Sequence, residues 1–271
     1  MTARASRCLL AILLIALWGS DALAADPLNT VRAFCQADGR GERLDPRRWE
    51  QLADLVTWPL EPAWDRVYLI RGFQLGTPQR HDDGVDVEVQ YTITAEAHSN
   101  IVAEGERVET RLFQLVRGDD GVWRVRAPAL PPHVFASEAD PKALAELLAA
   151  EGSSYVSDSA FVWQLMRSAG WTMPYADTLA LARAPDFTTE RTAEVGDLVL
   201  YYDGEQPYHV GIVESEDTVV SATLNGGIRR TPFGGFAGEI RYRRPLITAL
   251  ATPTPEPEPS PTPHRRQRKR K

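Results

Sequence analysis

The spacing of apolar residues predicts two helices before residue 60. One set recurs at three- and four-residue intervals, as on the buried face of a helix: Leu28, Val31, Phe34 and Cys35. Farther along, Asp45 followed by Pro46 is typical of a helix N-cap with proline at the first helical position. Apolar residues continue at helical spacing after this cap, and Trp58-Pro59 ends the second helix.

The pattern then changes to that of strands. Residues 67–75 predict a first strand, and residues 85–93 alternate apolar with polar side chains, as in a strand with one buried face. Residues 108–116 predict a third strand, and Asp119-Asp120-Gly121 is a hairpin turn before a fourth at residues 123–125. This half of the chain therefore predicts helices followed by an antiparallel sheet.

A second set of helices and strands follows. His133, which comes after two prolines, is expected in the linker between the two sets. Asp140-Pro141 begins a short helix, and a longer helix runs over residues 158–168 and ends at Gly170. Short strands are predicted at residues 197–202, 210–214 and 218–222.

Both ends of the chain differ from its middle. Residues 1–24 combine two arginines, an apolar run and the motif Ala22-Leu23-Ala24, which predicts a signal peptide that is removed. The apolar run is shorter than the roughly 20 residues that span a bilayer. The protein is therefore expected to be exported to the periplasm or the extracellular space and to be soluble there. Residues 251–263 alternate proline with polar residues, which predicts an extended spacer.

The charges are unevenly distributed. Of 30 basic and 37 acidic residues, 22 and 34 remain when residues 1–24 and 251–271 are set aside. This acidic body argues against nucleic-acid binding. Residues 264–271 contain six basic residues. This tail either stays solvated or contacts an anionic membrane or envelope polymer.

Cysteine is scarce. Cys8 lies within the predicted signal peptide, so Cys35 has no partner for an internal disulfide in the mature chain. Its position on the apolar face of the first helix predicts a buried structural thiol.

Three short motifs occur in the second half of the chain in a particular order. They are Ser157-Asp158-Ser159-Ala160-Phe161-Val162, Gly196-Asp197-Leu198-Val199 and His209-Val210-Gly211-Ile212-Val213. This order resembles the NlpC/P60 family of papain-like cysteine hydrolases, which cut peptide bonds in bacterial peptidoglycan. In that family the helix begins with Asp-Cys-Ser-Gly and the cysteine is the nucleophile, whereas here its position holds Asp158.

The resemblance implies roles for individual residues. His209 falls on the general base and Ser221 on the residue that orients it, so these two and Asp158 are the candidate catalytic positions, in degenerate form. Three residues are implied to line the cleft and contact a ligand: Tyr155, Ser159 and Trp163.

Asp158 cannot do the work of a thiolate, because a carboxylate is a poor nucleophile toward an amide. Two roles are predicted for it. It can cap the helix, which stabilises a helix by about 1 kcal/mol, or it can pair with His209 and raise the pKa of the imidazole. Ser159, as an alternative nucleophile, would point roughly 100° away around the helix. Zinc needs at least three protein ligands, and no third one is evident, so neither a metal nor another cofactor is predicted.

The first half of the chain resembles the NTF2-like cone fold. Arg111-Leu112-Phe113-Gln114-Leu115-Val116, the turn and Trp123-Arg124-Val125 are the segments that show this resemblance. It implies helices on a curved antiparallel sheet, a pocket between helix and sheet, and a homodimer formed through the sheet. Four tryptophans are expected to fill this domain: Trp49, Trp58, Trp64 and Trp123.

These patterns predict an α+β protein with an NTF2-like domain at residues 26–135 and a papain-like NlpC/P60 domain at residues 136–250. The predicted function is that of an exported cell-envelope protein whose second domain is an inactive relative of the peptidases and binds a peptidoglycan peptide or an envelope protein. Two alternatives stay open. One is an active cell-wall hydrolase with His209 as base and Asp158 activating water, and the other is an interaction protein that acts through the first domain.

Overall fold

The structure, a computed structural model, describes residues 26–246. The predicted signal peptide (residues 1–24) and the proline-rich and basic tail (residues 251–271) lie outside the described residues. Within the described part, no helix has the length and apolar character needed to cross a membrane. The fold is mixed α+β, with two sheets of six strands each and a small number of short helices.

The first sheet comes from the alternating part of the sequence. Its strands are β1 (Arg66–Leu75), β2 (Gln79–His81), β3 (Gly84–His98), β4 (Ile101–Arg117), β5 (Trp123–Ala127) and β6 (His133–Phe135). They are arranged in the order β5-β4-β3-β1-β6, and β2 pairs with β3. All pairs are antiparallel except β1 with β6. Register shifts in three of the pairs mark bulges, which bend a sheet.

Two N-terminal helices cover one face of this sheet. They are α1 (Pro27–Gly39) and α2 (Pro46–Ala53), and the side chains of Asp26 and Asp45 cap their first turns. Their apolar faces and the inward residues of β3 form one core: Val31, Phe34, Trp49, Leu52, Val87, Val89 and Tyr91. Cys35 is buried in it with its Sγ 3.3 Å from the Tyr91 hydroxyl, so the prediction of a buried thiol is confirmed.

The second sheet lies against a longer helix. The helices of this half are α3 (Pro141–Leu147), α4 (Asp158–Ser168) and α5 (Thr178–Leu181). The strands are β7 (Phe187–Glu190), β8 (Leu198–Asp203), β9 (Gln206–Val213), β10 (Thr218–Thr223), β11 (Gly227–Pro232) and β12 (Glu239–Pro245). They are antiparallel in the order β11-β10-β9-β8-β12-β7. Apolar residues of α4 pack on β8 and β9 in one core: Val162, Met166, Leu198, Leu200 and Val210.

Two expectations from the sequence are wrong. His133 is not in a linker: it begins β6, is fully buried, and its ring lies 4.0 Å from the ring of Tyr91. The two prolines before it do not prevent pairing at this sheet edge, because the Pro132 carbonyl accepts the Tyr68 N–H at 2.9 Å. Trp64 packs in the core of the second sheet with Tyr201 and Phe236, not in the first domain.

The two halves share more surface than the sequence indicated. Helix α3, which follows the first sheet in the chain, packs on that sheet, and Leu144 and Leu148 bury against Val67 and Leu69. The segment between α2 and β1 in turn reaches the second sheet. An isolated bridge joins Pro62 to Thr223.

Candidate functional site

The three candidate catalytic residues lie together in a hydrogen-bonded chain. Asp158 is the first residue of α4, His209 lies in β9 and Ser221 in β10. Asp158 Oδ2 lies 2.7 Å from His209 Nδ1, and His209 Nε2 lies 3.0 Å from Ser221 Oγ. The resemblance had placed these residues in one cleft, and the structure brings them into direct contact.

Glycine at position 211 explains how the two strands hold this geometry. A Cβ atom at Gly211 would lie 2.9 Å from the Val220 carbonyl oxygen and 3.0 Å from the Cβ of Ser221. Only glycine therefore permits β10 to approach β9 this closely. The close approach places the Ser221 hydroxyl against the imidazole two residues before the glycine.

Asp158 does not cap the helix, which corrects one of its two predicted roles. The N-cap is Ser157, whose side chain accepts the Ala160 N–H at 3.2 Å. The Asp158 carboxyl instead accepts two backbone N–H groups, that of Ser159 at 2.7 Å and that of Val210 at 3.0 Å. The carboxyl therefore ties the start of α4 to strand β9.

All three side chains are buried, with relative exposures of 1% for Asp158 and 0% for His209 and Ser221. Burial raises the pKa of Asp158 to about 8. The two backbone N–H groups stabilise the anion and so oppose this increase, but burial has the larger effect. Burial also lowers the pKa of His209 to about 3, so the expected increase in the pKa of this imidazole is wrong. Both shifts favour a pair with no net charge, in which one proton lies between Oδ2 and Nδ1.

A neutral pair fixes the direction of the bond to Ser221. When the Asp158 carboxyl carries the shared proton and donates it to Nδ1, the single N–H of the neutral imidazole lies on Nε2, and Nε2–H donates to Ser221 Oγ. A serine nucleophile needs the opposite arrangement, with its hydroxyl donating to an unprotonated Nε2. The buried pair therefore leaves Ser221 as an acceptor.

Residues 61–65, named the crossing segment below, run directly over this site. Ala63 N donates to the Ala222 carbonyl at 3.3 Å, and Leu224 N donates to the Glu61 carbonyl at 2.9 Å. Asn225 fastens the same stretch through its side chain, which accepts the Glu61 N–H at 3.1 Å and donates to the Pro59 carbonyl at 3.0 Å. The segment is thus bound as an extended peptide alongside the end of β10.

The crossing segment also occupies the amide at the nucleophile position. Asp158 N donates to the Ala63 carbonyl oxygen at 2.7 Å. In the serine-protease template the backbone N–H of the nucleophile residue binds the oxyanion of the reacting carbonyl. Here the Ala63 carbonyl of the same chain accepts the hydrogen bond from this N–H group.

The candidate binding residues are held by neighbours within the protein. The Tyr155 hydroxyl donates to the Trp64 carbonyl at 2.9 Å, and the Ser159 hydroxyl lies 2.8 Å from that of Tyr175. Trp163 Nε1 donates to the Met173 carbonyl at 3.1 Å. Ser159 and Trp163 are buried, whereas Tyr155 is half-buried and lines a cavity of about 270 Å³ beside the crossing segment.

Sequence reasoning missed several contributors to the site. The Ala63 carbonyl comes from a segment 95 residues before Asp158 in the numbering, and no spacing rule connects the two. The Phe236 ring lies 4.0 Å from the His209 ring and covers it. Thr178 Oγ1 lies 3.4 Å from Asp158 Oδ1.

Among residues 26–246, no group of three or more His, Cys, Asp or Glu side chains is arranged to hold a metal ion. No protein-family model matches the chain, and no curated protein matches it. The residues and their geometry are therefore the grounds on which a function is assigned.

Proposed function

We propose that this chain is an exported cell-envelope protein that binds a peptidoglycan peptide or a protein partner without cleaving it. In this proposal the first half is an NTF2-like domain and the second half a degenerate NlpC/P60-like domain. The order of helices and strands in each half supports the two assignments. The observation on which the proposal mainly rests is the closed site, with a buried carboxyl at the thiol position and the Ala63 carbonyl on its amide.

The chemistry of the site disfavours hydrolysis. The buried Asp158–His209 pair has no thiol, and no part of the triad is open to a substrate. A substrate carbonyl that entered would have to displace the Ala63 carbonyl from the Asp158 N–H. Binding without turnover requires none of these changes.

The open part of the groove is the proposed binding surface. The cavity next to the crossing segment is lined by Tyr155, Val156 and Ile228. Val156 and Ile228 expose 37% and 50% of their surface. Apolar side chains at this exposure beside a groove are suited to contact a peptide.

One observation favours a second candidate, an active hydrolase. Ser221, His209 and Asp158 stand at 3.0 and 2.7 Å in the order nucleophile, base and acid of a Ser-His-Asp triad. Another observation favours interaction through the first domain, as Ile101, Val108 and Leu112 of β4 expose 51%, 61% and 45% of their surface. A homodimer through this sheet would cover them.

One set of variants separates the three functions. We expect the whole protein to cosediment with purified peptidoglycan or to retain an envelope partner, and to release no peptide from muropeptides. Ile228→Glu should abolish binding, and Ile101→Glu, at nearly equal exposure in the first sheet, should not. Peptide release that His209→Ala removes would establish the hydrolase instead. Loss of binding with Ile101→Glu alone would move the function to the first domain.

A further inference from the structure

A second cavity lies at the junction of the two halves, where the crossing segment lines it through Glu61, Pro62 and Trp64. Its volume is about 250 Å³. Four aromatic side chains line it: Trp58, Trp64, Tyr208 and Phe236. Pro59 and Pro62 complete its apolar wall, and Arg126 lies at its edge with its side chain exposed.

The polar group at the bottom of this junction pocket is already neutralised. The Glu61 carboxylate pairs with Arg43 at 2.7 Å and accepts the Trp58 indole N–H at 2.8 Å. Trp64 donates its indole N–H to the same carboxylate. An occupant therefore meets an apolar, aromatic surface and one exposed cation, Arg126. At about 250 Å³ the pocket is below the roughly 300–1,000 Å³ typical of small-ligand sites.

We propose that the junction pocket binds the proline-rich segment of the same chain, residues 252–263. Grooves lined by aromatic residues are the surfaces that proline-rich segments recognise, because the segment is already extended and loses little entropy on binding. Proline stands at every second position from Pro253 to Pro263. This binding is independent of the peptide or partner proposed for the Tyr155 cavity.

The chain can reach the pocket. Ala237, which lines the pocket, lies two residues before the start of β12, and β12 then runs for seven residues from Glu239 to Pro245. Seven residues of strand cover about 20 Å. Residues 246–252 can span about 23 Å when extended, at roughly 3.3 Å per residue. These residues are long enough to run back along the length of β12 to the end where the strand begins, and so to bring Pro253 to the pocket.

The charges are complementary. Glu256 and Glu258 are the only acidic residues between positions 251 and 271, and they fall inside the proline-rich segment, where they can face Arg126. The six basic residues that follow would then lie against a body with 34 acidic and 22 basic residues. Both contacts favour the bound arrangement and weaken with salt.

Tethering makes weak binding sufficient. A short linker gives an effective concentration in the millimolar range. A segment that binds as a free peptide with a Kd of about 0.1 mM would therefore occupy the pocket most of the time when attached.

The test uses the whole chain labelled with 5-fluorotryptophan, with the Trp58 signal assigned through Trp58→Phe. Replacing Pro253, Pro255, Pro257 and Pro259 by serine should shift the fluorine resonance of Trp58. The resonance of Trp171, in the core of the second sheet, should stay unchanged. A synthetic peptide of residues 251–263, added to the serine variant, should return the Trp58 signal to its original position.

A charge control sharpens the assignment. Adding Arg126→Glu to the serine variant should weaken the peptide about fivefold, the loss expected from one exposed ion pair worth about 1 kcal/mol. Arg80→Glu, the same charge change at an exposed position of β2, should not weaken it. An identical Trp58 resonance with and without the four prolines would overturn the proposal. So would a peptide that shifts Trp58 equally in the original chain, because the pocket would then be free.

Discussion

The two halves of this molecule each bury an aspartate beside a histidine, and the two pairs differ in how well their polar atoms are satisfied. In the second half, both ring nitrogens of His209 have partners, Asp158 and Ser221. In the first half, His133 Nδ1 lies 3.8 Å from Asp38, and neither ring nitrogen has a hydrogen-bond partner among the described residues.

The charges of the two clusters differ as well. The first-half cluster contains a cation, Arg43, which lies 3.5 Å from Asp38 and 2.7 Å from Glu61. The second-half pair has no such cation and is neutral because burial favours the uncharged forms. A buried Asp-His pair can therefore be stabilised in different ways, and the sequence alone does not show which one applies. One cluster is held by hydrogen bonds and the other by the attraction of buried charges, and different substitutions should disrupt them.

The largest effect is expected from Arg43→Ala. Arg43 is 1% exposed and pairs with the buried Glu61 carboxylate at 2.7 Å, so its removal leaves that carboxylate without a compensating charge. Breaking a buried ion pair costs about 3–5 kcal/mol. Urea unfolding of Arg43→Ala should show this loss, while Arg40→Ala, which removes an exposed arginine bonded to Glu42, should cost below about 1 kcal/mol. Equal stability of the two variants would mean that the cluster is not held by charge.

A matched pair of histidine substitutions tests the comparison directly. His209→Phe leaves Asp158 and Ser221 without their shared partner and should cost about 1–3 kcal/mol. His133→Phe removes a ring whose nitrogens lack partners, and it preserves both the stacking on Tyr91 and the backbone N–H that Asp38 accepts at 3.0 Å. It should change the free energy of unfolding by less than about 1 kcal/mol. A larger loss for His133→Phe than for His209→Phe would reverse the comparison.

The dependence of stability on pH provides a third test. Burial raises the pKa of Asp158 to about 8 and that of Asp38 to about 7, so both are protonated in the folded state at pH values where the unfolded chain is ionised. Stability should therefore fall as the pH rises from 6.5 to 8.5, by at most about 1.4 kcal/mol per pH unit for each group. His209, whose folded pKa is lowered, contributes fully above pH 6.5 and adds no slope there.

Asp158→Asn measures how much of this change of stability with pH comes from the Asp158 carboxyl in the second half. The variant should show a shallower fall between pH 6.5 and 8.5, measured by urea unfolding at several pH values, because the amide does not titrate. Asp54→Asn, a substitution of an exposed aspartate, should retain the original slope. An unchanged slope in Asp158→Asn would show that the carboxyl is ionised in the folded state.

The sequence predicted those parts of the molecule that depend on local patterns. The caps at Asp45 and Asp140 follow from short-range hydrogen bonding, and the structure confirms both as helix N-caps. The helix beginning at Asp158 and the positions of His209 and Ser221 followed from a motif order. What the sequence did not indicate depends on contacts between distant segments. The Ala63 carbonyl and the His133 ring reach their positions through tertiary packing, and neither has a pattern around it.

The smallest effect concerns the crossing segment, where reactivity is a more sensitive measure than stability. A cysteine introduced by Asp158→Cys should react slowly with a thiol-reactive peptide probe, because position 158 is 1% exposed and its amide holds the Ala63 carbonyl. Asn225→Ala removes the side chain that binds Glu61 and Pro59, at a cost of about 1 kcal/mol. The double variant should therefore react about fivefold faster, because the segment leaves the groove more often. Ser215→Ala, which removes a hydroxyl bonded to exposed Asp217, is the matched control and should leave the rate unchanged. Rapid labelling of Asp158→Cys alone would mean that residues 61–65 do not close the groove in solution, and the missing thiol would then be the one feature that prevents hydrolysis.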